Sequence, residues 1–328
     1  MFDHYIAVDW SQKTMAIARM TKSSGKVTVV EVPADIKELK FYLSRLKGTK
    51  VLAFEESGPA QWLYTELRGL VDELIVCDPY RNHLLKDGPK TDKIDATKLC
   101  QLLKAGLLKP VFHTGEEMIY LRKIVSGYID VVKAGVRVQN QRKALFRSNG
   151  GSDESVLAHA SERFVLEGID RGIESYRTEK SRYESEFEKI YKKYQSVHLL
   201  MSLPGVAEIN AVKIAATVVE AKRFPSSGHF LSYCGLIKLE RMSGGKSYGR
   251  RYSRYSRLLK GVFQNAALAS LNDKKQPAMR EYYNHLLSEK KYLEGPAKNA
   301  VARRLATLSL GILKTGKNLT QPGGQHLL

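Results

Sequence analysis

Short runs that are rich in β-forming residues or alternate between hydrophobic and polar residues occur in the first hundred residues of the chain, and segments with helical spacing separate them. Alternation with a period of two is typical of half-buried strands, and spacing of three and four residues is typical of amphipathic helices. The predicted strands are YIAVDW, TMAIARMT, KVTVVEVP, KVLAFEE and ELIVCD. The predicted helices are ADIKELKFYLSRLKG, GPAQWLYTELRGL and a last segment that begins near TDKIDATKLC.

Three successive strands followed by alternating helices and strands form the element order of a ribonuclease-H-like fold. We therefore predict an α/β domain over residues 1–110. In such a sheet the inner strands bring their ends to one edge, where functional side chains can meet.

Residues 111–198 have heptad spacing and predict long helices. The Gly/Ser/Asn-rich break RSNGGSDES, at 147–155, would fold two helices into an antiparallel hairpin. The hydrophobic seam can be satisfied within one chain, or it can pair with a second subunit in a dimer or tetramer. The seam positions are Met118, Leu121, Val125, Tyr128, Val132, Ile169, Ile173, Tyr176, Lys180, Tyr183, Phe187, Ile190, Tyr194 and Val197.

Residues 199–328 predict a third, mostly helical region. It starts with SLPGVAEINAVKIAATV, a Pro-Gly turn followed by a helix of small residues. This pattern fits half of a helix-hairpin-helix, in which backbone amides bind a phosphate, and it fits a plain helix start equally well.

Positive charge is concentrated in this third region. The chain has a net charge of +19, and residues 201–328 contain 21 of the 53 basic residues but only 7 of the 34 acidic ones. The run from Arg241 to Lys260 has seven basic residues, no acid and three tyrosines, which is typical of a surface that binds nucleic acid. A solvated basic face without a ligand is the alternative. The candidate nucleic-acid-binding residues are Arg241, Lys246, Arg250, Arg251, Arg254 and Arg257.

The cysteines and the N-terminal sequence indicate a compartment. Cys77, Cys100 and Cys234 are too few and too scattered for a disulfide framework or a zinc site, so a reducing environment is expected. The start MFDHYIAVDW enters a strand pattern, and no run of eighteen apolar residues occurs. We therefore expect a cytoplasmic protein that does not enter a membrane.

Two acids stand at the start of the last helical segment of the α/β region. Asp92 as an N-cap, with Asp95 close behind it, would complement the helix dipole. At about 100° per residue, however, both acids point the same way as Leu99, Leu102 and Leu103. Two carboxylates on the buried side of a helix need a neutralising partner, and a divalent cation is the usual one.

Two further acids lie at the ends of predicted strands. In a ribonuclease-H-like sheet, Asp9 and Glu55 would sit beside the helix that carries Asp92 and Asp95. Glu56 would replace Glu55 if the strand register differed by one residue. Oxygen ligands of this kind suit Mg²⁺ or Mn²⁺, which can orient a scissile phosphate.

The same residues carry a resemblance to a known family. YIAVDWSQKT, LAFEESG and KTDKIDATKL resemble the Asp, Glu, Asp-x-x-Asp signature of the transposases and invertases of the insertion-sequence one-ten family, which includes pilin-gene invertases. The similarity continues through LPGVAEINAVKIAATV, FLSYCGL and RMSGGKSYG to ARRLATLSLGILKTG, which is nearly the whole chain.

The resemblance implies a RuvC-like domain at 1–110, a coiled-coil oligomerisation region at 111–198 and a C-terminal transposase domain at 199–328. It implies metal binding by Asp9, Glu55, Asp92 and Asp95, and it makes Ser243 the nucleophile. It further implies action on donor and target DNA in a prokaryotic cell, at the nucleoid, and for many members the use of a structured guide (bridge) RNA.

Several alternatives remain open. Ser243 could simply belong to a flexible turn, and Ser247 is its nearest rival as nucleophile. A metal-only nuclease, such as a Holliday-junction resolvase, would use the same acids with water as nucleophile, but it leaves the basic region unexplained. A nucleic-acid-binding protein with a degenerate site would not need all four acids. An actin-like kinase would need glycine-rich phosphate loops, and DWSQKT has no glycine.

Overall fold

A computed structural model describes residues 1–80, 91–113, 116–273 and 277–318. The chain divides into two compact units, Met1–Glu116 and Glu117–Leu328. Within the described residues, no helix is both long enough and apolar enough to cross a membrane.

The first unit is built on a mixed five-stranded sheet with the strand order β3-β2-β1-β4-β5. β1 pairs antiparallel with β2 and parallel with β4, and the β2–β3 and β4–β5 pairs are antiparallel and parallel respectively. This arrangement confirms the predicted element order and is consistent with a ribonuclease-H-like sheet. The strands are β1 (His4–Trp10), β2 (Thr14–Thr21), β3 (Thr28–Pro33), β4 (Lys50–Glu55) and β5 (Glu73–Cys77).

Helices cover both faces of this sheet. α1 (Ile36–Ser44) and α2 (Ala60–Leu67) pack on the face that carries Ile6, Val8 and Phe54. α3 (Asp92–Lys104) packs on the opposite face, against side chains that include Tyr5, Ala7 and Ala53. The alternation of side chains along β1 and β4 therefore decides which residues face α3.

The described part of the second unit is helical and includes a two-stranded hairpin. The hairpin consists of β6 (Leu239–Ser243) and β7 (Lys246–Arg251). The helices are α4 (Glu116–Ser148), α5 (Ala160–Lys193), α6 (Gln195–Leu200), α7 (Glu208–Val218), α8 (Ser227–Tyr233), α9 (Arg257–Leu271), α10 (Ala278–Ser288) and α11 (Glu294–Thr315).

α4 and α5 form the predicted antiparallel hairpin. Gly127 and Gly135 of α4 lie against the rings of Tyr183 and Tyr176, and a Cβ at either glycine would come within 2.3 Å of the facing tyrosine. Near the connection between the two helices, Arg142 Nε donates to an Asp170 carboxylate oxygen at 2.8 Å. The glycines let the two helices approach closely, so this part of the seam is satisfied within one chain.

One hydrophobic core joins α4 and α5 to the helices that follow them. Phe187 and Ile190 of α5 are buried in a cluster with Val212 of α7, Phe263 of α9 and Leu305 of α11. Residues 111–198 and 199–328 therefore share a core, and the division at residue 198 is not one between compact units. Oligomerisation through 111–198 stays a prediction.

The three cysteines, Cys77, Cys100 and Cys234, are buried free thiols.

Candidate active site and nucleic-acid interface

Asp9 and Glu55 lie side by side at the ends of two neighbouring parallel strands. Val8 of β1 pairs with Phe54 of β4, so the next residue of each strand is an acid. Val8 and Phe54 face α1 and α2, and alternation turns Asp9 and Glu55 toward the face covered by α3. Both acids are half-buried.

Asp92 and Asp95 occupy the first turns of α3, but neither is the N-cap. Thr91 caps the helix, and its side-chain oxygen accepts a hydrogen bond from the Ile94 amide at 3.3 Å. The interpretation of Asp92 as a cap is therefore wrong, because the preceding threonine has already taken that role. Asp92 and Asp95 are half-buried and share one side of the helix, as residues three apart do.

Electrostatics shows that three of the acids lie near one another. The pKa of the Asp9 carboxyl is raised to about 6, first by burial and then by the neighbouring charges of Asp92 and Asp95. Such mutual repulsion requires the carboxylates to be close, because it weakens rapidly with distance in a solvated protein.

One atom of this group lacks a protein partner. The Asp95 Oδ1 oxygen is buried, and no described residue donates a hydrogen bond to it. A buried carboxylate oxygen without a donor is unfavourable unless a cation neutralises it. The orphaned oxygen and the all-oxygen donor set fit a hard divalent cation such as Mg²⁺ or Mn²⁺.

The side chains of the four acids do not surround one common position. Among the described residues, no three His, Cys, Asp or Glu side chains are arranged as ligands around a common position. The backbone thus gathers these acids at one edge of the sheet, whereas their side-chain oxygens do not surround a common position.

Glu56 is on the other side of β4 and has a different partner. Its backbone amide donates to Cys77 O at 2.9 Å, and its carboxylate contacts His113 Nε2. His113 also contacts Gln61 of α2 through Nδ1 at 3.1 Å, and its ring lies 5.3 Å from that of Tyr64. The register therefore turns Glu55, not Glu56, toward α3. Sequence reasoning did not identify His113, which lies in an irregular segment without any periodic pattern.

Ser243 is the last residue of β6, directly before the turn of an exposed hairpin. It pairs with Lys246 across the turn, so the two side chains share one face. Between them, Gly244 and Gly245 have φ values of +55° and +75°. Positive φ at both central residues is the requirement of a type I′ turn, for which glycine is the favoured residue. The hairpin was not predicted, although the Gly-Gly pair is a signal that could have identified it.

The two candidate serines differ in their hydrogen bonds. Ser247 donates its hydroxyl to a Glu240 carboxylate oxygen at 2.8 Å. The Ser243 hydroxyl forms no hydrogen bond with another described residue, and it lies beside the ammonium-bearing Lys246. A hydroxyl without an internal partner is available to an incoming phosphate.

The predicted basic residues form an exposed surface around this hairpin. All residues of β6 and β7 are exposed, so neither face of the hairpin is buried. Arg254 and Arg257 are also exposed, at the connection to α9. A two-stranded hairpin without a buried face is marginally stable by itself, so a polyanion that contacts it would also order it. The candidate cations on the hairpin are Arg241, Lys246, Arg250 and Arg251.

The Pro-Gly turn before α7 serves packing. Gly205 has φ +73°, and a Cβ there would lie 2.2 Å from the carbonyl oxygen of Ala266 in α9. The glycine therefore permits the turn to approach the backbone of α9, which supports a structural role for it over phosphate binding.

Both parts of the chain match family profiles of transposases. Residues 6–148 match the profile of DEDD transposases of IS110, and residues 197–284 match the profile described as the transposase IS116/IS110/IS902 family. The first match includes all four candidate acids, and the second includes Ser243 and the basic hairpin.

Curated relatives agree with these matches. The chain is 27% identical over 210 residues to a putative transposase of Sinorhizobium fredii, in an alignment that covers 58% of the chain and 50% of that protein. It is 26% identical over 121 residues to an uncharacterized 43.6 kDa protein of insertion element IS110 from Streptomyces coelicolor, covering 37% of the chain and 29% of that protein. The chain thus spans half or less of the length of these relatives. Because two profiles and both relatives point the same way, the chain belongs to the IS116/IS110/IS902 family of transposases.

Proposed function

We propose that this protein is a DNA transposase and site-specific recombinase of a mobile element, and that it cuts and rejoins DNA through a covalent phosphoserine intermediate. The observation that carries the proposal is the group of acids at one edge of the sheet, with the orphaned Asp95 Oδ1 among them. Such a group is costly for a fold to maintain unless it has a cation to hold.

In this proposal Asp9, Glu55, Asp92 and Asp95 hold a divalent cation within a RuvC-like domain. A bound Mg²⁺ or Mn²⁺ would orient the scissile phosphate and stabilise the negative charge that develops on it. The sheet and α3 fix the positions of the acids before DNA arrives, so little reorganisation is needed at the moment of reaction.

Ser243 acts as the nucleophile. Its Oγ forms a bond to phosphorus, the bond from phosphorus to a deoxyribose oxygen breaks, and that oxygen leaves as a hydroxyl after taking up a proton. The serine proton goes to solvent or to a nearby carboxylate. The phosphodiester energy is retained in the serine–phosphate bond, so another DNA hydroxyl can reverse the step and rejoin the strands.

The basic surface around Ser243 binds the DNA backbone. Lys246 is closest to the serine along the hairpin and can offset charge on the attacked phosphate. The other cations neutralise neighbouring phosphates and give the binding a strong dependence on salt. These cations are Arg241, Arg250, Arg251, Arg254 and Arg257.

The remaining parts of the proposal concern partners. Recombination needs more than one active site, so the protein acts as a dimer or tetramer, in which Ser243 and the four acids can come from different subunits. A structured guide RNA selects donor and target DNA, as the family resemblance implies. The reaction takes place in the prokaryotic cytoplasm, at the nucleoid.

An excision and insertion assay tests the proposal. A plasmid that carries the gene with its natural flanking DNA is introduced into a bacterial host, and newly formed DNA junctions are sequenced. Wild type should produce circular excised elements and insertions, whereas Asp95→Asn and Ser243→Ala should produce none. Insertion by Ser243→Ala at the wild-type frequency would contradict the phosphoserine step, and unrepaired breaks without joined products would favour a metal-only nuclease.

A further inference from the structure

A cavity of about 440 Å³ lies at the base of the serine hairpin. Its walls come from the loop that follows α8, from the end of β7 and the residues just after it, and from the start of α9 and the first turns of α11. The volume lies within the range of about 300 to 1,000 Å³ typical of pockets that hold a whole small molecule. It is therefore larger than a single phosphate group requires.

Four cations line this cavity: Lys238, Arg250, Lys260 and Arg303. No acid lines it, and no salt bridge joins any of the four to an acid within the described part of the chain. Of these, Arg250 and Lys260 belong to the basic run Arg241–Lys260 predicted from the sequence, whereas Lys238 and Arg303 lie outside it. Four like charges around one cavity repel one another, and an anion in the cavity relieves that repulsion.

Tyrosine rings hold two of these cations in place. Lys260 Nζ lies 4.2 Å from the centre of the Tyr252 ring and 5.0 Å from that of Tyr255. Lys238 Nζ lies 5.4 Å from the Tyr252 ring. A cation over an aromatic ring is stabilised without being neutralised, so Tyr252 orients both ammonium groups and leaves their charge for a ligand.

Another part of the wall is apolar and carries one polar group. Leu236, Ile237 and Pro296 contribute hydrocarbon surface. Beside them, the Asn299 side-chain oxygen accepts a hydrogen bond from Gln264 at 3.3 Å, which leaves the Asn299 amide group as a donor. A cationic side for a phosphate, an apolar side and one amide donor match the three parts of a nucleotide.

We propose that this cavity, here called the nucleotide pocket, receives one unpaired nucleotide of a DNA or RNA strand. Its phosphate lies among Lys238, Lys260 and Arg303, and its sugar and base lie against Ile237 and Pro296. A base that is paired and stacked in a duplex cannot enter a concave cavity of this size, so the nucleotide must be out of the stack.

This inference rests on the proposed function, because it assumes that nucleic acid approaches the serine hairpin. The pocket meets the hairpin at Arg250, which pairs with Glu240 at the base of the strands. Ser243 is at the other end of β6, about 10 Å away at the usual rise of about 3.3 Å per residue. A nucleotide in the pocket would thus lie a few positions from the phosphate that Ser243 attacks.

The test compares three probes with the full-length protein. The first is a fully paired DNA duplex. The other two carry a single unpaired 2-aminopurine nucleotide in the same duplex sequence, one on a DNA strand and one on an RNA strand. Anisotropy of a labelled end gives the affinity, and 2-aminopurine fluorescence reports whether the base has left the stack. We expect tighter binding of an unpaired probe than of the paired duplex, and a rise in fluorescence. Whichever of the DNA and RNA probes binds more tightly identifies the source of the nucleotide.

The variants separate the pocket from the general basic surface. Arg303→Gln and Lys238→Gln should each weaken binding of the unpaired probe by about tenfold, while binding of the paired duplex changes by less than about twofold. Tyr252→Leu should likewise weaken binding of the unpaired probe more than binding of the paired duplex. Tyr252→Phe should bind the unpaired probe as tightly as the wild type does, because it keeps the aromatic ring. Lys290→Gln removes an exposed charge that does not line the pocket and should change neither affinity.

Three results would overturn the inference. Equal weakening of both probes by Arg303→Gln and Lys238→Gln would reduce the pocket to part of a general phosphate-binding surface. A wild-type protein that binds the paired duplex with no preference for an unpaired probe would reject the pocket and leave the proposed transposase function standing. A wild-type protein that binds none of the probes would reject both.

Discussion

The two candidate centres of this protein are built in opposite ways. The acids of the first unit are half-buried, lie on strand ends and a helix that pack on one core, and include a buried oxygen with no protein partner. Ser243 of the second unit lies on a hairpin that is exposed on both faces and has no core of its own. A hydrophobic core thus supports the acids of the first centre, whereas Ser243 lies on a surface hairpin that no core supports.

The proposed mechanism gives the two centres different tasks that fit this difference. A metal site benefits from rigid support, since ligands must remain within a narrow range of positions. A nucleophile that must reach a phosphate and later release it benefits from a segment that a ligand can order. Substitutions at the acids should therefore affect metal binding and the fold's electrostatics, and substitutions at the hairpin should affect encounter with nucleic acid while leaving the fold unchanged.

The largest effect is expected from Glu55→Gln and Asp95→Asn. Each replaces a carboxylate of the proposed metal site by a neutral amide and so removes one negative charge. Strand cleavage in Mg²⁺ should fall about a thousandfold or more, because metal coordination supplies several kcal/mol of transition-state stabilisation. Cleavage of labelled DNA under single-turnover conditions measures the rate.

Glu56→Gln is the matched control for this prediction. Glu56 is adjacent to Glu55 but contacts His113 on the other side of the strand, so its removal should leave cleavage within about threefold of wild type. If Glu56→Gln abolished cleavage and Glu55→Gln did not, Glu56 and not Glu55 would be the metal ligand, contrary to the strand register.

The next largest effect concerns the cations of the hairpin. The triple variant Arg241→Gln, Lys246→Gln and Arg251→Gln should reduce the slope of log affinity against log salt by about 2 to 3, because each neutralised phosphate contributes about 0.9. Titrations of a DNA duplex between low and physiological salt provide the slope.

A triple variant with the same charge change serves as its control. Lys222, Lys290 and Lys291 are exposed on the same unit and lie outside the hairpin, and their replacement by Gln should change the slope by less than 1. Equal slopes for the two triple variants would show that DNA does not bind preferentially at the hairpin.

A smaller effect is expected at the turn of the hairpin. Gly245→Ala places a side chain at φ +75°, which costs about 1 to 2 kcal/mol, so formation of the serine adduct should slow by about tenfold. Gly245→Asn should lose less, since asparagine tolerates positive φ. The melting temperature should stay at the wild-type value in both, because the hairpin is not part of a core. A lowered melting temperature in both variants would mean that the turn supports the fold.

The smallest effect is on stability. In chelator, Asp95→Asn should raise the free energy of unfolding of the first unit by about 1 to 2 kcal/mol, because it removes a buried charge near Asp9 and Asp92. The variant should also lose the rise in melting temperature that Mg²⁺ gives the wild type. Asp130→Asn, an exposed change on α4, should leave the Mg²⁺ effect intact. A Mg²⁺ effect of full size in Asp95→Asn would argue against Asp95 as a ligand.

The sequence predicts the first unit well because its core gives a strong signal. Tyr5 to Val8 form a continuous buried run in β1, which is typical of an inner strand covered on both faces, and the period of two of a strand puts Asp9 on the same side as Ala7. The choice between Glu55 and Glu56 needs the register with β1, which the sequence of β4 alone does not contain.

The second unit is less predictable at the positions that matter for function. The hairpin around Ser243 has no buried face and therefore no alternating pattern, and only its two glycines mark the turn. The nucleotide pocket combines Lys238 with Arg303, which are distant in sequence and are brought together by the position of α11. The sequence does not distinguish Thr91 from Asp92 as the N-cap of α3, because threonine and aspartate are both common N-cap residues.

Trapping and mapping the covalent intermediate tests the proposed phosphoserine step most directly. A nicked suicide DNA substrate is incubated with full-length protein in Mg²⁺, the mixture is denatured, and the DNA-linked peptide is identified by mass spectrometry. We expect an adduct on Ser243 that is absent in Ser243→Ala, absent in Asp95→Asn and present in Ser247→Ala. An adduct mapped to Ser247, or free 5′-phosphate and 3′-hydroxyl ends from Ser243→Ala at the wild-type rate, would contradict this expectation.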